Sequence, residues 1–194
     1  MTNTQTANQL AGRAIGSLFF AGFGALWLFL SLYAREMLNA GTVLSVLLGL
    51  ALLLGATVPV FREARRWPRV PDDPAMGRAF AWVNAIQWTA VAIVAFSFAK
   101  FHIDAYVLSA ITAIVGLHMF PLARLFRYPL HYVTGGLLTA WGAASAALLP
   151  VEHMQGITAF GTGLILWVSA AVTLVLAMQA ARQPVHGRAD LLTR

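Results

Sequence analysis

Residues 37–61, MLNAGTVLSVLLGLALLLGATVPVF, contain no Asp, Glu, Lys or Arg. A helix rises 1.5 Å per residue, so roughly 20 residues cover a hydrocarbon core of about 30 Å. This stretch is long enough to cross a bilayer once. Working outward from it, five further charge-free stretches have the same reach: 14–34, 79–99, 105–123, 128–151 and 153–181. The whole chain of 194 residues is 59% hydrophobic and only 10% charged, where an ordinary soluble domain carries about 25% charged residues. The expectation is an all-α polytopic membrane protein, a six-transmembrane-helix bundle. Residues 1–12 form a polar tail, 13–181 the membrane domain and 182–194 a C-terminal tail. The spans are expected at about 14–34, 41–61, 79–99, 105–123, 131–150 and 155–181. A soluble enzyme, a disordered chain and a nucleic-acid-binding domain are excluded, despite the net charge of +6.

The start, MTNTQTANQLAGR, carries one basic residue before an apolar stretch too long for a signal-peptide core. Leu32-Tyr33-Ala34 does not offer the two small residues of a cleavage site, so the first stretch is expected to stay as a membrane anchor. Cysteine is absent, which removes disulfides, thiolate nucleophiles and Cys-based zinc sites.

Six spans distribute the basic residues unevenly. One side receives Arg13, Arg62, Arg65, Arg66, Arg69, Arg78, Arg124, Arg127, Arg182, Arg188 and Arg194, and the other only Arg35 and Lys100. Basic residues of short loops stay cytoplasmic, so both termini are expected inside. The loop FREARRWPRVPDDPAMGR carries enough Arg to attract anionic lipid headgroups, at about 1 kcal/mol per residue near the surface. Its prolines and its two aspartates, Asp72 and Asp73, argue for an irregular segment.

The second and fourth spans end alike, Pro59-Val-Phe-Arg62-Glu-Ala-Arg65 matching Pro121-Leu-Ala-Arg124-Leu-Phe-Arg127. Duplication of a hairpin explains this, and so does convergence on the Arg that orientation demands. Proline in a helix frees the carbonyl four residues back, here those of Gly55 and Leu117. Span five presents Gly135, Thr139, Gly142 and Ala146 on one face, a close-packing surface for a helix contact within the bundle or for a homo-oligomer. Gly12 and Gly16 open span one in the same manner.

No Asp, Glu, Lys or Arg lies mid-span, so the usual carboxylate of a proton-driven pump has no candidate. The embedded polar groups are Asn84, Gln87 and His118. Counted at 1.5 Å per residue, Asn84 and Gln87 lie roughly 8 and 12 Å from the inner surface and His118 roughly 9 Å. The three side chains can therefore meet, with Thr57, Thr134 and Thr139 near the same level. Two uses are open for such a meeting. In one, a cytoplasm-facing pocket binds a small or amphiphilic ligand through Asn84, Gln87, Trp88 and His118, with Arg124 at its mouth attracting an anionic headgroup or carboxylate. In the other, these residues are interhelical glue in a non-catalytic structural or assembly partner, at about 0.6 kcal/mol per bond. No catalytic residue and no cofactor is assigned. Bis-His haem ligation needs two histidines at matched depth, and His131 lies nearer the surface.

Trp27, Trp88, Trp141 and Trp167 fall deep inside spans, suggesting either an aromatic-lined cavity or core packing. At the outer rim, His102, Asp104, Glu152 and His153 are candidates for a divalent metal if their turns converge. With GLHMFPLARLFRYP at 116–129 and YVTGG at 132–136, the chain resembles small six-span bacterial inner-membrane proteins sharing a GLHxxPLARLF-type motif. The resemblance implies a multi-pass protein of the bacterial inner membrane and adds no reaction.

Overall fold

The structure, a computed structural model, describes residues 7–66, 71 and 73–182. Those residues form six α-helices and no strand: α1 (Ala7–Ala34), α2 (Ala40–Ala64), α3 (Pro74–Lys100), α4 (Val107–Leu125), α5 (Leu130–Leu148) and α6 (Val151–Arg182), with a 3-10 turn at Asp104–Tyr106 before α4. Five of the six are long and apolar enough to cross a membrane; α5 is the exception. His131, Thr134, Gly135, Gly136, Thr139, Gly142 and Ser145 lower its hydropathy. Of these, Thr134, Gly135, Gly142 and Ser145 are buried against neighbouring helices.

Helix ends run past the charge-free stretches because caps set them. Asn39 accepts from the Gly41 and Thr42 amides, and Thr42 returns the bond to the Asn39 amide in a reciprocal box. Asp73 caps α3 by accepting from Ala75 N at 2.8 Å, with Pro74 as the first helical residue. Three helices stop by one device that uses no glycine. Glu36, His102 and Arg127 adopt the left-handed backbone, at φ 53, 59 and 49. The next residue in each case donates its amide five residues back: Met37 to Leu32, Ile103 to Phe98 and Tyr128 to Ala123. The pattern is the Schellman stop, normally reserved for glycine or asparagine.

Packing arranges the helices as a flattened array. The most extensive contacts join α1 to α6 and α4 to α5. Helix α2 lies against α1 and α6, while α3 lies against α4 at the opposite edge. No residue of α3 is fully buried. Helix α6 touches α1, α2, α4 and α5, so it has no single apolar face.

Small residues permit these approaches. A Cβ on Gly142 would collide with the Ser109 carbonyl and the Ala113 amide, and one on Gly135 with the Gly116 carbonyl. The small-residue surface of span five is thus occupied by α4. Gly24 and Gly163 bring α1 and α6 together in the same way.

One end of the bundle gathers the starts of α1 and α3, the ends of α2 and α6, and the α4–α5 turn. Ala14, Val60 and Ala177 cluster there, Phe80 meets Phe126, and Arg13 meets Tyr128. This basic end carries Arg62, Arg65, Arg66, Arg78, Arg124 and Arg127 besides Arg13. At the far end Ser31 donates to the Gly156 carbonyl at 2.8 Å, and Gln155 to the Asp104 carbonyl at 3.0 Å.

Gly142→Ala is expected to lower stability by about 1–3 kcal/mol through overpacking against α4. Gly136→Ala makes the same chemical change where a Cβ meets nothing, so it should be neutral or mildly stabilising. Thermal unfolding of both variants in mild detergent checks the pair, and equal effects would remove the close α4–α5 approach from the fold.

Candidate ligand site at the basic end

The α4–α5 turn builds the site. Arg127 in the left-handed region swings the chain back so that Tyr128 follows directly under the end of α4. Pro129 precedes α5 and sets His131 on its first turn. The His131 imidazole is enclosed by three rings, each edge-on: Tyr128 at 5.1 Å, Phe20 of α1 at 5.7 Å and Phe126 at 6.4 Å between centroids. His118 of α4 is buried, faces the backbone of Val83 in α3 and lies within electrostatic range of His131. The two histidines that depth counting separates thus belong to one end of the bundle. Arg13 lies over the Tyr128 ring, its guanidinium carbon 5.2 Å from the centroid.

Two polar atoms in this cluster, Tyr128 Oη and His131 Nδ1, are buried without a hydrogen-bond partner among the described residues. Each such orphan costs about 1–3 kcal/mol. An exposed arginine–aromatic contact contributes only about 0.5–1 kcal/mol. A group that satisfied both orphans would therefore more than offset displacing Arg13 from the ring. The hydroxyl both donates and accepts, and Nδ1 does one or the other according to tautomer.

The residues singled out from sequence divide around this cluster. Val83, Asn84, Gln87, Val91, Val94 and Phe98 are among the less exposed residues of α3, on the side turned to α4, its helix neighbour. Asn84 and Gln87 thus share the face that carries the His118–Val83 contact. The Asn84 amide is bound to its own helix, donating to the Phe80 carbonyl at 2.9 Å. Trp88 points outward at 56% exposure, and Arg124 is exposed in the last turn of α4. Thr57 donates to the Leu54 carbonyl in α2, away from α3. Tyr128, His131, Phe20 and Arg13 went unnoticed as a site because they come from two distant segments and a turn without glycine.

Sequence reading also passed over the polar seam of α6. Thr158, Thr162, Ser169 and Thr173 are all buried, spaced four, seven and four residues apart. Thr158 pairs with Ser109 at 3.2 Å, Thr162 with Thr112 at 2.9 Å and Ser169 with Thr134 at 2.9 Å. Leu138 and Leu166, both buried, lie between the far-end pairs and the pair nearest the basic end. Of the four tryptophans deep in the spans, three are packing elements and Trp88 is exposed. Trp167 fills the slot between Gly24 and Gly49 and donates to the Ala21 carbonyl, and Trp141 lies on Gly161 and donates to the Thr158 carbonyl. Trp27 belongs to the core.

At the far end, no three His, Asp or Glu among the described residues gather closely enough to hold a metal. Glu152 and His153 instead line a hollow of about 390 Å³ with Arg35 and Met37. A second hollow, about 290 Å³ and apolar, opens sideways between α3, α4 and α5 over Ala110, Ala113 and Ala143.

Thr112→Val should lower stability by about 0.6 kcal/mol by breaking the bond to Thr162. Ser45→Ala should not, because Ser45 is exposed and bonds only its own helix at Gly41. Chemical or thermal unfolding in detergent separates the two, and a silent Thr112→Val would deny the seam its role in holding the helices. In comparisons with known proteins, no family model, no curated protein and no solved structure matches the chain.

Proposed function

We propose that this chain is a ligand-binding integral membrane protein of six spans, holding a small or amphiphilic molecule at its basic, cytoplasm-facing end. The observation that carries this reading is the pair of unmet buried atoms, Tyr128 Oη and His131 Nδ1, beside His118. Lipid hydrocarbon offers such groups no partner, so a binding molecule is the natural means of satisfying them. Asn84, Gln87 and His118 supply the α3–α4 wall, Trp88 flanks it and Arg124 stands at the rim. In this reading α5 is the sixth span, shielded by its neighbours where its own hydropathy is low. The gathering of arginines at one end favours both termini in the cytoplasm, and the protein resides in the bacterial inner membrane.

The apolar layer at Leu138 and Leu166 favours binding over a continuous path through the bundle. A transporter-like cycle would have to part α5 from α6 at that layer. The second reading, a non-catalytic structural or assembly partner, is favoured by the α6 seam, whose hydroxyls serve helix association.

Native mass spectrometry of the purified protein in mild detergent tests the choice. A defined small-molecule or lipid adduct is expected on the wild type and lost from His118→Ala, with thermal stability largely kept. A bare polypeptide, or His118→Ala losing stability with no change in adducts, would leave the packing reading standing alone.

A further inference from the structure

Among the described residues, the basic end holds a cation without a counter-ion. Arg13 is half-buried on α1, and the one ion pair among the described residues is Arg66 with Glu63, elsewhere on the surface. The acids described at this end are engaged, Glu63 with Arg66 and Asp73 at the cap of α3. Arg13 therefore rests on a neutral ring, Tyr128, whose own hydroxyl is an orphan. Beside it, Gly12 and Gly16 leave a strip of α1 bare, where an added Cβ would touch no other group. One turn further along α1, Phe20 continues the wall to His131.

We infer that this site takes an anionic phospholipid of the surrounding membrane, its phosphate held by Arg13. This rests on the ligand-binding reading above and names the class of ligand. A guanidinium presents parallel N–H donors that match two phosphate oxygens, which an aromatic face does not satisfy. Lifting from the ring toward a phosphate, Arg13 uncovers the Tyr128 hydroxyl, which donates to a further phosphate oxygen. His131 Nδ1, in the tautomer that carries its proton there, donates to another oxygen of the headgroup. The open strip over Gly12 and Gly16 gives the headgroup room to approach the helix, and the Phe20 and Phe126 rings border its apolar part. A choline or other cationic head alone would meet Arg13 as a like charge.

Thermal unfolding in phosphatidylcholine bilayers, with and without phosphatidylglycerol, tests this. Phosphatidylglycerol is expected to raise the wild-type midpoint by about 4 °C. Arg13→Gln and Gly16→Leu should lose most of that gain while unfolding near the wild-type temperature in pure phosphatidylcholine, since Arg13 makes no ion pair among the described residues and gives up only its weak contact with the Tyr128 ring, and a Cβ at Gly16 meets open space. Tyr128→Phe should be no less stable than wild type in phosphatidylcholine, because the hydroxyl has no partner there, yet lose part of the gain. Arg62→Gln, on exposed α2, should keep it. An undiminished gain in Arg13→Gln, or an equal loss in Arg62→Gln, would reduce the effect to diffuse surface charge and overturn the inference. The same gain from inorganic phosphate or glycerol 3-phosphate would move the ligand from the bilayer to solution and overturn the lipid assignment. An adduct that depends on His118 but not on Arg13 would sink this inference alone; neither adduct nor gain in the wild type would sink the ligand-binding reading with it.

Discussion

A hydroxyl or indole N–H inside hydrocarbon must find its partner within the protein, on its own helix or on another, and this constraint organises the bundle through the bonds that cross between helices. Helix α6 answers it for most of the chain. Its Thr158, Thr162 and Ser169 pair with Ser109 and Thr112 of α4 and Thr134 of α5, while its carbonyls at Gly156 and Thr158 accept from Ser31 and Trp141. Each bond is weak, about 0.6 kcal/mol on average in membrane proteins. Their number and their direction toward several helices give α6 its central place, and the flattened array follows.

Against that background, the basic end stands apart. Thr158, Thr162 and Ser169 of the seam find partners on other helices, while the buried hydroxyls of Thr173 and Thr139 have none among the described residues; the cluster around His131 differs in leaving two unmet atoms side by side. Its orphans sit where a positively charged rim, an aromatic enclosure and a bare strip of α1 come together.

Much of the architecture was legible from charge spacing alone. Stretches free of Asp, Glu, Lys and Arg marked every helix, and α3 carries Asn84 and Gln87 toward α4 as their three-residue spacing requires. The spacing of Gly135, Gly142 and their neighbours announced a close helix contact, realised against α4. Helix neighbours were less legible. Most consecutive helices do touch, yet the most extensive contact, α1 with α6, joins the two ends of the domain, where Gly24 and Gly163 let the backbones approach. The site suffered from the same limit: Arg13 and Tyr128 are far apart in the chain, and Tyr128 is aimed by an arginine in a backbone region where glycine is the usual signal. A count of Thr158, Thr162, Ser169 and Thr173 at helical spacing would have revealed the seam.

The central place of α6 also bears on how the protein is made. During synthesis the ribosome delivers α1 through α5 before the helix that most of them pack upon, so α1 waits for its principal neighbour until nearly the whole domain has entered the bilayer. In that interval Ser31, Ser109, Thr112 and Thr134 have no α6 to bond, and α1 and α4 present small-residue faces to whatever else occupies the membrane. An incomplete chain is thus chemically distinguishable from a finished one by its unpaired hydroxyls. Arrival of α6 is the event that erases the difference.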